Sequence, residues 1–211
     1  MTPKLWGRAS SVNVQKVMWA AAECGISYER IDAGHVYGRT DTAEFADLNP
    51  VRRVPVWQED ALALWESHAI LRHLARGPAA LLWPETRSEQ ALADQWIEFT
   101  TTTLSPPLID VFFQTVRLPL AERSGEVLSN KLKALDAALD ILSARLEDVE
   151  WLAGRSFSIA DIAAGSLMYR YHHMDIPRPA RPALSAWYER LGDRTAYRDT
   201  VMTSYEELRS A

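Results

Sequence analysis

The chain of 211 residues is 47% hydrophobic and 24% charged, ordinary globular proportions with ample core, and its length fits one large domain or two modest ones. A net charge of −5 gives no electrostatic footprint for nucleic acid, and no apolar run approaches the roughly 18 residues of a membrane span. Cys24 is the single cysteine, which excludes an internal disulfide framework and a cysteine-rich metal site; no His/Asp/Glu grouping has metal-ligand spacing, and the first residues lack the apolar stretch of an export signal, so a cytoplasmic protein without a metal is expected.

Through residue 77, strand and helix patterns alternate. A short strand is predicted over Lys4–Trp6, then a helix to about Glu23 with Val14, Val17 and Met18 apolar, Gln15 and Lys16 polar, and Gly25 as its stop. SYERIDA suits a second strand, and 35–49 reads as loop with at most a short helix. VPVWQEDALAL reads as two strands turning at Glu59 and Asp60, followed by a helix over 66–76. In RGPAALLWPE, Gly77, Pro78 and Pro84 interrupt any periodicity, which marks a linker over 78–87. From residue 88 onward no strand pattern occurs; helices are predicted over 88–116, 124–147, 158–172 and 183–208, with Pro106 and Pro107 bending or interrupting the first. The plan is an α/β unit over 1–77 followed by an all-helical domain over 88–211, with function expected at their junction.

Four stretches stand out chemically. GRASSVNVQKV brings Ser10 and Ser11 to a helix start, where a hydroxyl can cap the helix or hold a ligand. RRVPVW places Pro55 at a strand start, where its missing N–H costs least, and alone it is an ordinary edge-strand proline. LWESHAILRHLA opens a helix with Glu66 and Ser67. The free N–H groups and positive dipole end of that turn suit a carboxylate, while Glu66 suits an ammonium, so together they fit a zwitterionic amino-acid end; taken alone, simple capping is the more economical account. SFSIADIAAG is a capping box, Ser158 with Asp161, framed by Phe157 and Ile162 as a hydrophobic staple, and is read as structural.

Together, in this order and spacing, SSVNVQKV, LNPVRRVPVW, LWESHAILRHLA and SFSIADIAAG resemble the cytosolic glutathione transferases, in particular bacterial serine-type members, over essentially the whole chain. The resemblance implies a two-domain α+β/α fold: a thioredoxin-like N-terminal domain, then an all-α helical-bundle C-terminal domain. It also implies a homodimer whose active site lies between the domains, near the subunit interface. Glutathione would be the co-substrate. Pro55 would be cis, with the Val54 backbone N–H and C=O meeting the cysteinyl part; Glu66 and Ser67 would hold the γ-glutamyl end and Arg53 the glycyl carboxylate, with Arg39 and His35 as weaker candidates.

The family divides by whether Tyr, Ser or Cys faces the sulfur. The first tyrosine, Tyr28, lies beyond the helix, and Cys24 lies about 16 Å along it from Asn13, at 1.5 Å rise per residue. Ser10 and Ser11 remain, and Ser11 is preferred because it stands two residues before Asn13, which is similar to the Ser/Thr-x-Asn arrangement of the bacterial members, with Asn13 as second donor or positioning group. A plain N-cap stays open as the competing role. Trp96, Phe99, Phe112 and Phe113 would line an apolar electrophile pocket, although aromatics at helical spacing read more often as core, and His172 and His173 read as structural or solvated. The expected activity is transfer of the glutathione thiol to an apolar electrophile. A non-catalytic glutathione-binding or interaction module, and a glutathione-dependent disulfide reductase or peroxidase, remain as alternatives.

Overall fold

The computed structural model describes residues 2–77 and 82–210, so part of the expected linker, 78–81, lies outside the described residues. The chain divides into two compact units, Met1–Trp83 with Ala196–Thr203, and Pro84–Thr195 with Ser204–Ala211.

In the first unit the alternation of residue types becomes β1 (Lys4–Trp6), α1 (Val12–Glu23), β2 (Glu29–Ile31), α2 (Ala43–Leu48), a hairpin of β3 (Val56–Glu59) and β4 (Leu62–Trp65), and α3 (Ser67–Ala75). The sheet order is β2-β1-β3-β4, with β1 parallel to β2 and antiparallel to β3, and β3 antiparallel to β4. Alternation across the pleat sends Trp6 and Val56 to one face, where they form a core with Ala33 and Phe45; the Trp6 and Phe45 rings meet edge to face at 6.1 Å. Leu5 and Trp57 turn to the other face and are fully buried; α1 and α3 pack against each other.

Helix α1 departs from the amphipathic pattern read in its sequence. Gln15 and Lys16 are 3% and 2% exposed: Lys16 Nζ is met by His68 of α3 at 3.0 Å, and a third element, the segment Ala196–Thr203, which includes most of α9 (Thr195–Thr200), meets α1 at Gln15 and Trp19. Tyr197 lies against Trp19 with ring centroids 4.6 Å apart, and Gln15 Nε2 donates to Thr203 Oγ1 at 2.9 Å. This segment therefore groups with the first unit rather than with the helices around it in sequence.

The second unit holds α4 (Arg87–Phe99), α5 (Ser105–Phe112), α6 (Gly125–Asp148), α7 (Ile159–His173) and α8 (Pro182–Gly192). The predicted helix over 88–116 is α4 and α5 joined and followed by wide π-helical turns, Thr100–Leu104 and Phe113–Arg117. Pro106 and Pro107 stand in the first turn of α5. They have no N–H to give, and their rings need room against the carbonyls four residues back, so the turn before them widens instead of breaking. The single helix predicted over 183–208 is instead α8, α9 and a 3₁₀ turn at Glu206–Leu208. Helix α7 is buried almost throughout, and its Asp161 gathers bonds from Leu152 N, Ser158 N, Ser158 Oγ and Trp187 Nε1 at 3.0 to 3.2 Å.

Candidate active site

Three segments leave the sheet at one end. Trp6 pairs with Val56 and Val56 with Trp65, so Gly7, Pro55 and Glu66, each the next residue outward, emerge side by side. Gly7 makes this approach possible: its φ of +149° favours glycine, and a Cβ there would lie 2.4 Å from Val14 Cγ2 and 3.2 Å from Val54 Cβ. The first turn of α1 is thereby drawn against the loop before β3.

Ser11 occupies the N-cap position of α1, yet its side chain makes no capping bond. Its backbone is fully used, since the amide donates to Arg8 O at 3.1 Å and the carbonyl accepts from Gln15 N at 2.8 Å. The residue is 9% exposed, with a hydroxyl left over beside the unpaired first-turn N–H groups and the positive end of the helix dipole. Ser10, 5% exposed, is engaged within the chain. Asn13 is exposed, and its Oδ1 accepts from Lys16 Nζ at 3.1 Å.

The Val54–Pro55 peptide bond is cis. The Val54 N–H and C=O bond to no described residue, although they adjoin the start of a strand. The loop leading to them is held by buried Asn49, whose Nδ2 donates to Arg53 O at 2.7 Å and whose Oδ1 accepts from Val51 N at 2.9 Å. The exposed Arg53 guanidinium has no partner among the described residues.

Glu66 is the N-cap of α3 with φ 68°, a conformation that non-glycine residues adopt rarely and that concentrates at functional sites. Its carboxylate is exposed and does not cap the helix; only its carbonyl is engaged, by Ile70 N at 3.1 Å. Ser67 is 7% exposed, and its hydroxyl has no partner among the described residues. The α1 and α3 turns are tied together by Lys16 Nζ, 3.0 Å from His68 Nε2. Burial, then the nearby charges of Lys16 and Arg72, push His68 down to about 2, so its ring is neutral.

The site residues read from the sequence thus converge, apart from His35 and Arg39, which lie exposed on the loop before α2 with no side-chain bond to the others. Gly7, Lys16, Asn49 and His68 were not anticipated. Gly7 carried a readable signal in its position between a strand and a serine turn. Lys16 carried none, because its neighbours place it on the polar side of a helix, and the residue that meets its Nζ, His68, comes 52 positions later in the chain.

Residues 1–76 match the family described as glutathione S-transferase, N-terminal domain, and residues 92–194 match its C-terminal domain. The chain belongs to the glutathione transferase family. It is 35% identical over 201 residues to glutathione S-transferase GstB of Escherichia coli, covering 94% of this chain and 97% of that one. Identity to glutathione S-transferase 4 of Zea mays is 32% over 198 residues, covering 92% and 89% of the two chains. Among solved structures, the theta class glutathione S-transferase from Xanthomonas axonopodis pv. citri with glutathione bound superposes with a TM-score of 0.93 at 40% identity, over 96% of this chain and 98% of that one.

In this glutathione transferase Cys24 is the C-cap of α1, at the opposite end of the helix from Ser11, and burial followed by the Glu23 charge pushes its thiol up, away from thiolate character. The aromatic residues expected to line an electrophile pocket divide. Trp96 and Phe112 are buried core residues, Phe99 lies edge-on to Trp96, and Phe113 is 47% exposed. None lines the cavity of about 360 Å³ in the second unit, whose walls include Thr115, Val116, Leu128 and Met174 with Arg123 and Arg209. His172 is stacked on Tyr188 at 4.0 Å, and burial pushes it down to about 4, which fits the structural role expected for it.

Proposed function

We propose that this glutathione transferase binds glutathione along the end of its N-terminal sheet, and that Ser11 holds the sulfur as thiolate for attack on an electrophile. One observation carries the reading: Ser11 Oγ, the Val54 backbone, Ser67 Oγ, and the Glu66 and Arg53 side chains all adjoin this end of the sheet and lack partners within the described chain. Each matches a part of the tripeptide. Val54 extends the sheet to the cysteinyl amide and carbonyl, Glu66 accepts from the γ-glutamyl ammonium, Ser67 and the N–H groups of α3 donate to its carboxylate, and Arg53 meets the glycyl carboxylate.

The Ser11 hydroxyl donates to the sulfur, aided by the α1 dipole. A free thiol with a pKa near 8.5 is only a few per cent ionised at pH 7, and lowering that value by about two units takes roughly 2.7 kcal/mol of preferential anion binding. One hydrogen bond to a charged acceptor at about 1.5–3 kcal/mol and a helix terminus at about 0.3–1 kcal/mol supply it. The thiolate lone pair then forms the C–S bond as the electrophile's leaving group departs with its electron pair, or as its π-bond shifts.

The electrophile we assign to a small apolar molecule held by the helical domain. The active form we take to be a homodimer, supported by the apolar side chains that the second unit exposes, Ile109 at 50% and Phe113 at 47%, one turn apart. A cytoplasmic setting is supported by the use of a single cysteine. The test is the thiolate absorbance of bound glutathione followed with pH. The bound thiol is expected about two units below its free value, and Ser11→Ala returns it most of the way with little loss of calorimetric affinity; an unshifted wild-type titration refutes the activation.

A further inference from the structure

Lys16 is a cation in a place where charge is costly. It lies on α1, little more than a turn after Ser11, and is 2% exposed, whereas lysines ordinarily keep their ammonium in water. Its Nζ is 3.1 Å from Asn13 Oδ1 and 3.0 Å from His68 Nε2. An ammonium nitrogen has donors and no lone pair, so both bonds run outward from Lys16: His68 accepts on Nε2 and carries its proton on Nδ1. The neutral ring expected from burial and from the Lys16 and Arg72 charges agrees with this direction.

The bond to Asn13 has a chemical consequence at the surface. A primary amide presents an acceptor oxygen and a donor NH₂ of nearly equal size, and an unrestrained side chain can offer either to a neighbour. Only the NH₂ end stabilises an anion. With Oδ1 committed to Lys16, the NH₂ is the end of the exposed Asn13 left to face outward, two residues from the uncommitted hydroxyl of Ser11. The same ammonium joins the first turns of α1 and α3, the two turns that carry Ser11 and Ser67.

We propose that Lys16, braced by His68, is a positioning residue of the thiol site: it locks the Asn13 amide with its NH₂ toward the glutathione sulfur and holds the sulfur-facing and γ-glutamyl-facing turns in register. The inference rests on the reading of Ser11 and Asn13 as the sulfur-facing pair. Lys16 touches no substrate in this scheme and acts through Asn13. A lysine whose only role is to fill space in the first unit would change the melting temperature when replaced and leave the thiol titration alone.

The experiment is the thiolate titration of bound glutathione on the full-length protein, for wild type, Ser11→Ala, Asn13→Ala, Lys16→Met, the Asn13→Ala/Lys16→Met double variant and Lys16→Arg. Lys16→Met is expected to raise the bound thiol pKa by about one unit, a tenfold loss of thiolate at neutral pH, with affinity for glutathione changed less than about threefold. Asn13→Ala should do the same and the double variant no more than either, while Lys16→Arg, which keeps a donor, stays near wild type. If Lys16→Met does not fold, Lys16→Gln takes its place, with the same direction and the same cycle. A wild-type pKa in the lysine variant overturns the proposal, and so do shifts that add in the double variant, since Lys16 would then act by its own charge. If Ser11→Ala raises the pKa and the lysine variant does not, this inference alone falls; if neither does, the thiol-site reading falls with it.

Discussion

Helices α1 and α7 both begin with serine in the N-cap position, and the two serines are put to opposite use. Ser158 accepts from Ala160 N at 3.3 Å and donates to Asp161, whose carboxylate in turn binds Ser158 N, Leu152 N and Trp187 Nε1, so both polar side chains of that turn are committed inside the protein. Thr42, Thr86 and Ser124 likewise cap α2, α4 and α6 with their side chains. Ser11 does not. A cap that closes its own helix is structural, and a cap residue whose hydroxyl stays uncommitted is available to a ligand. The sequence pattern is nearly the same in both cases, and only the disposition of hydrogen bonds separates them.

The contrast can be broken from either side. Asp161→Ala should have the largest effect, about 3–5 kcal/mol of stability, because it strips four donors of their acceptor at a fully buried position; denaturant unfolding measures it, and a loss under 1 kcal/mol would show that water or repacking replaces the carboxylate. Gly7→Ala should follow at about 1–3 kcal/mol, because the new methyl meets Val14 at 2.4 Å in a φ region that alanine avoids. Calorimetric binding of glutathione should weaken about tenfold for Glu66→Gln, through the γ-glutamyl ammonium, with no change in melting temperature, since that carboxylate closes no cap. Ser158→Ala should cost about 1 kcal/mol of stability, and Ser11→Ala less than about 0.5 kcal/mol despite its larger effect on the thiol. If Ser11→Ala destabilises as much as Ser158→Ala, the distinction between the two serines fails.

A pH measurement sharpens the comparison at the α3 turn. His68 is held at about 2 in the folded protein against an ordinary 6.5, so the unfolded chain binds the extra proton between those values and folded stability falls as pH drops below 6.5. At pH 5 the deficit is about 2 kcal/mol. His68→Gln should remove that slope, so the difference between variant and wild type shrinks from pH 7 to pH 5; parallel stability curves would mean the ring is solvated enough to titrate normally.

Much of this fold was legible because its signals are local. Short β-branched and aromatic runs around Lys4–Trp6 and Val56–Trp65, the Glu59–Asp60 turn, and the Ser158/Asp161 box each depend on residues a few positions apart. The Glu66–Ser67 turn was legible as a position, but whether its side chains cap or wait was not, because capping depends on rotamers. The missed features are long-range. Gln15 reads as a solvated position until Tyr197 and Thr203 are laid across α1, and Lys16 until His68 of α3 meets its Nζ; the helix expected over 183–208 breaks where the chain turns to reach α1. The wide turns around Pro106 and Pro107 were missed in form, since proline announces a disturbance of the helix but not whether it kinks or widens.

That return of the C-terminal chain has a consequence for how the molecule is made. The sheet and both site helices are translated before the helices of the second unit, whereas fully buried Tyr197 and its neighbours, which group with that sheet, follow those helices in the chain. N-terminal domains commonly finish folding first during synthesis, but here the first unit includes residues 196–203, which are translated after the helices of the second unit. A nascent chain ending before residue 196 lacks Tyr197 and Thr203, so the side of α1 that carries Trp19 and Gln15 stays bare until that segment is made.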